Sequence, residues 1–98
     1  MAKRVGDPKA AHKAREQKRA VLSLIQNRTL VELFRSVDDK YVRKMRAADN
    51  VNDRERAWAV LRALDALYVE MKARIDRGTA QEKTDQAIRQ RREAGATP

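Results

Sequence analysis

The sequence predicts an all-α protein: an antiparallel helical hairpin core, an extended basic N-terminal helical arm and a loosely ordered C-terminal helix. Three observations carry that expectation. Apolar residues recur at intervals of three and four, the period of a buried helix face. No segment alternates with the period of two that a half-buried strand requires. Three capping patterns, a Thr or Asn followed three residues later by Glu, stand at intervals along the chain. The implied segments are residues 1–20 as the arm, 21–78 as the core and 79–98 as a weakly helical tail.

The first helix starts at Asp7-Pro8. A carboxylate there can accept orphan amide protons, and proline fits the first helical position. From residue 8 to about 26 the residues are strong helix formers, but the first part lacks an apolar stripe. Only Val21, Leu22, Leu24 and Ile25 could anchor it, so it reads as a solvated arm. Gln26-Asn27-Arg28 interrupts or bends the helix, and Thr29 with Glu32 offers a cap for a second one. Local sequence does not decide between a break and one continuous helix.

The second helix carries Leu30, Leu33, Phe34, Val37, Tyr41, Val42 and Met45 on one face and ends near Ala48. Asp49-Asn50-Val51-Asn52 is a loop, with Asn52 and Glu55 repeating the capping logic. In the third helix Ala57, Leu61, Leu64, Tyr68, Met71 and Ile75 form a seam, widened by Trp58, Val60 and Leu67. Such a seam packs against another helix at a shallow angle, and the short loop makes the neighbours antiparallel. Gly78 is expected to close this helix in a left-handed cap. Thr79 with Glu82 would cap a last, frayed helix that has only Ala87 and Ile88 to bury.

Charge is distributed unevenly. Residues 1–20 hold Lys3, Arg4, Lys9, Lys13, Arg15, Lys18 and Arg19 against Asp7 and Glu16, a net of +5 out of +9 for all 98 residues. Residues 21–50, 51–77 and 78–98 carry only +2, +1 and +1. A basic arm on a near-neutral body implies docking on something acidic, either nucleic acid or an acidic protein surface. The bland alternative is a solubilising charged helix. Were the arm to hold DNA, four to six phosphate contacts would give a log–log salt slope of about −4 to −5. Base reading is not expected, because Gln17 is the arm's only amide side chain.

Other chemistries find little footing. His12 is the one histidine and lies in the solvated arm, away from any group that would tune it. There is no cysteine, no acidic cluster with calcium-loop spacing and no glycine-rich phosphate loop. The expectation is therefore no enzyme, no cofactor and no metal. No apolar run reaches the roughly 20 residues of a membrane span, and the basic N-terminus lacks a secretory apolar segment. The expected location is the cytoplasm of the producing cell, or a particle assembled there. The candidate protein-interface or core stripe is Phe34, Tyr41, Trp58, Leu61, Leu64, Tyr68, Met71 and Ile75. Trp58 is read as core, with an exposed partner anchor as the alternative. A core drawn from residues 21–75 rarely supplies more than about 3–5 kcal/mol alone, so a homo-oligomer or a larger protein assembly is expected.

The order of features over residues 21–80 resembles a group of short, mostly uncharacterised helical proteins of tailed bacteriophages. The resemblance rests on an apolar helix end at 21–25, an Asn-containing break and a helix with Leu33, Phe34 and Tyr41. It continues through an acidic loop, an Arg54-Glu55-x-x-Trp58 opening, a Leu-rich helix and Gly78. Members tend to be encoded among virion and packaging genes, which implies a role in building or filling the particle. The leading expectation is a non-enzymatic phage virion structural or assembly component, docked on a larger assembly, whose arm contacts packaged nucleic acid or an acidic surface. The alternatives are a regulatory DNA-binding protein and a small inhibitor or adaptor docking on a host enzyme.

Overall fold

Residues 7–96 are described by a computed structural model, residue 96 by its backbone alone. The protein is all-α, with three helices in the described span: α1 (Pro8–Gln26), α2 (Arg28–Ala47) and α3 (Val51–Ala96). Each boundary follows from a local hydrogen-bonding choice. At the start of α1 the Lys9 amide donates to Asp7 Oδ1 at 3.0 Å, and the Ala11 amide to the Asp7 carbonyl at 3.0 Å. Asp7 therefore satisfies one of the helix's orphan donors with its side chain and accepts the first intrahelical bond with its carbonyl.

Helices α1 and α2 are separate, broken at Asn27. Its backbone is extended (φ −77°, ψ 103°), and its side-chain oxygen accepts from the Leu30 amide at 3.1 Å. The cap is thus Asn27 and not the expected Thr29. Thr29 lies inside α2 with helical backbone, and its supposed partner Glu32 pairs with Arg28 instead. A similar shift occurs at the next turn. Asn50, not Asn52, caps α3: its Oδ1 accepts from the Asp53 amide at 2.8 Å, and its Nδ2 donates to Asp53 Oδ2 at 3.0 Å. The loop is correspondingly shorter than expected, and Asp53 sits in the positively polarised first turn.

Gly78 does not end α3. The helix runs through it to Ala96, so the expected left-handed cap, the Thr79 cap and the loosely ordered tail are all replaced by continuous helix. The physical reason is packing. Gly78 is buried, and an added Cβ would collide with the Lys18 side chain and meet the Ala14 carbonyl at 3.0 Å. Glycine here serves close helix approach, which offsets its intrinsic cost of about 1 kcal/mol in a helix interior.

The chain divides into two compact units. One joins Met1–Leu22 to Ala73–Pro98; the other is Ser23–Lys72. These boundaries differ from the expected arm, core and tail, because the first and last segments share a unit. Burial is sparse. Ala11, Val21 and Ala57 are the buried apolar residues, and no large side chain of the described residues is fully buried. Trp58, expected in the core, is 52% exposed, and Tyr68 is 40% exposed.

Candidate nucleic-acid and protein interfaces

In the first unit, α1 and the C-terminal part of α3 are tied by charge. Arg15 Nη1 lies 2.8 Å from Asp85 Oδ2, and Lys18 Nζ lies 2.8 Å from Glu82 Oε2. Residues later in α1 thus meet residues earlier in α3. The expected solvated arm is corrected here: Ala11 is buried, and Arg15 and Lys18 are partly covered by their ion pairs. Arg19 pairs along its own helix with Glu16 at 2.9 Å. Of the remaining predicted cations, Lys9 and Lys13 are exposed and make no ion pair with another described residue, while Lys3 and Arg4 lie outside the described residues.

Three of the arm's cations are therefore already balanced, and the positive surface draws on α3 instead. Pro8, Ala11, Arg15, Gln81, Thr84, Asp85, Ile88, Arg89 and Arg92 line a recess of about 310 Å³. Arg89 and Arg92 were not among the predicted binding residues. A signal for them existed: Gln81, Asp85, Ile88 and Arg92 follow helical spacing, which marks one face of a helix rather than a tail. Residues 7–22 and 73–96 hold eleven basic and six acidic side chains, a net of +5; residues 23–72 hold ten and eight, a net of +2. The asymmetry of charge survives, but it belongs to a two-helix unit.

Asp85 has its acidity moved by its surroundings. Its carboxyl is held below the ordinary value of 3.8, first because Gln81 Nε2 donates to it at 2.9 Å. Desolvation opposes this as the next-largest effect, and the Arg15 hydrogen bond and the charges of Arg15 and Arg89 add to the lowering. The carboxylate is a fixed organiser of the recess, keeping Gln81 and Arg15 in register.

In the second unit the predicted stripe is only partly assembled. Phe34 and Tyr68 meet edge to face, with centroids 5.9 Å apart at 65°. With Leu24, Ile25, Leu30, Val31, Arg35 and Met71 they line an apolar recess of about 280 Å³. Tyr41 lies elsewhere, beside Ala57 and Val60 in a wider recess of about 510 Å³ whose walls also carry Lys44, Asp49, Asp53 and Arg56. Lys44 Nζ sits 4.9 Å from the Tyr41 ring centroid. Leu61 and Leu64 are half-buried, Ile75 is half-buried in the first unit, and Trp58 stands in solvent.

Among the described residues there is no group of three or more His, Asp or Glu placed to hold a metal, and no helix long and apolar enough to cross a membrane. Comparison with family models, curated proteins and solved structures finds no match to this chain.

Proposed function

We propose that the protein is a non-enzymatic assembly component of the phage-virion kind, whose basic two-helix unit holds nucleic-acid phosphates while the other unit docks on protein. The observation that supports this most is the concentration of net charge in residues 7–22 and 73–96, with arginines of both helices lining one recess. Arg89 and Arg92 are exposed at that recess, and Lys9 and Lys13 are exposed elsewhere on the same unit. Arginine suits phosphate because its planar fork donates two hydrogen bonds at once. Apolar surface left open on residues 23–72 supports the docking role. The protein would act in the producing cell and within the particle built there.

The test is anisotropy binding of a mixed-sequence DNA duplex to the full chain at low and physiological salt. Deleting the arm would strip the packing around Gly78, so the comparison is with Lys9, Lys13, Arg89 and Arg92 all changed to Gln. Tight, salt-sensitive binding with a slope of about −4 to −5, flattened by about 3–4 in the variant, supports the reading. Absence of binding at low salt removes nucleic acid and leaves an acidic protein surface as the partner.

One observation favours the adaptor reading instead: Trp58 is 52% exposed, and an exposed tryptophan is a common anchor of a protein interface. In that case binding to a protein partner would depend on Trp58 and be indifferent to the four cations.

A further inference from the structure

We propose that the apolar recess of residues 23–72 is filled by the same recess of a second copy, two helical pairs closing into a four-helix bundle. The inference rests on the docking half of the function above and names its first partner. A pair of helices can cover only a narrow seam on each. In α3 the apolar positions 57, 60, 61, 64, 67, 68 and 71 span about 120° of the helix surface at about 100° per residue. A strict two-helix seam is narrower, so much of this arc stays open unless another pair packs on it.

A two-fold contact also demands that one patch carry both hollow and projections. Phe34 and Met71 are half-buried within the recess, while Leu24, Ile25 and Tyr68 stand 49%, 42% and 40% exposed around it. Hollow and projections lie in one patch, so each copy can offer its projections to the other's hollow. Arg35 is the only charged side chain in the wall.

The exposed area is of the order this occupant needs. Leaving out Val51, Trp58 and Val69, which lie off this arc of α3, six large apolar residues of this unit are 38–58% exposed. At about 150 Å² per side chain they leave roughly 400 Å² of apolar surface in water. Each protomer of a standard dimer buries about 800 Å², about 65% of it apolar in homodimers, or roughly 500 Å². Charge points the same way: this unit carries +2 against +5 for the other, so self-contact here meets less repulsion and leaves both basic units open to an acidic partner.

The experiment is sedimentation equilibrium of the full chain from micromolar to hundreds of micromolar concentration, with helix content followed by circular dichroism. A dimeric mass is expected, weakened by more than about 100-fold in Leu24→Glu/Ile25→Glu, whose two sites are exposed in the single chain. Should that variant lose its helices, a milder one locates the contact. The chain has no cysteine, so Ile25→Cys takes a single environment-sensitive dye. Its emission should shift to the blue over the concentration range where the mass doubles. A monomer at every concentration overturns the proposal, and so does a dimer whose formation leaves the dye unchanged. Duplex binding reads the basic unit separately, so a monomer that still binds DNA overturns the dimer and not the proposed function.

Discussion

Gly78 and Lys18 pack so closely that no side chain fits between them. An added Cβ at Gly78 would collide with Lys18 near its backbone, lie 2.8 Å from Lys18 Cδ and meet the Ala14 carbonyl at 3.0 Å. The flexible end of the lysine could move away, but its Cβ and the Ala14 carbonyl are fixed to the α1 backbone. Gly78→Ala gains about 1 kcal/mol in helix propensity and incurs an overpacking cost of about 1–3 kcal/mol. We expect a net loss of up to about 2 kcal/mol in urea unfolding, with weaker coupling between α1 and α3. A variant more stable than the native chain would mean that glycine is there to bend or end the helix.

The caps give a paired expectation. Asn27 and Asn50 hold the first amides of α2 and α3 at 3.1 and 2.8 Å. Replacing either with Ala should cost about 1 kcal/mol. Thr29, Asn52 and Thr79 occupy capping patterns in the sequence but lie inside helices, so Ala at those positions should be neutral or slightly stabilising through propensity. Equal losses at Asn27 and Thr29 would contradict the assigned start of α2.

These positions show what was legible in the sequence and what was not. Helical class followed from spacing, because the apolar period is a property of the chain itself. The helix starts were displaced by two residues at both turns. An Asn two positions upstream of each pattern, Asn27 or Asn50, took the cap, and the candidates are chemically equivalent when read locally. Gly78 was legible only as a stop, since its use as a contact depends on Lys18 and Ala14 sixty residues away. For the same reason the arm and the tail read as separate segments: the ion pairs Arg15–Asp85 and Lys18–Glu82 join residues 70 and 64 positions apart. Trp58 fitted the apolar stripe by period, but with two helices per unit nothing covers the flank it occupies.

Asp85 makes the first unit acid-sensitive in a defined direction. Its folded pKa is held below 3.8, so ionised Asp85 contributes stability that is fully present above that value and is lost as pH falls through its folded value. The temperature of thermal unfolding should therefore fall at the acid end, below the ordinary carboxylate range. Asp85→Asn, which cannot ionise, should flatten that part of the profile and converge with the native chain once Asp85 itself is protonated. A native profile unchanged by the substitution would show that Gln81 and Arg15 do not bias this carboxylate in solution.

Trp58 supplies an intrinsic reporter, since it is the only tryptophan and is 52% exposed. Its emission should be that of a hydrated indole and should be quenched readily by acrylamide. Trp58→Ala should change folding stability by no more than about 0.5 kcal/mol, as expected for a surface substitution away from the packed contacts. It lies outside the Leu24–Phe34–Tyr68 recess, so self-association should leave its emission unshifted. A protein partner that uses it as an anchor would instead shift the emission to the blue, and the same Trp58→Ala change would weaken that complex by about 2 kcal/mol or more. A blue-shifted, unquenchable tryptophan in the isolated chain at low concentration would place the indole in the core and contradict its exposed position.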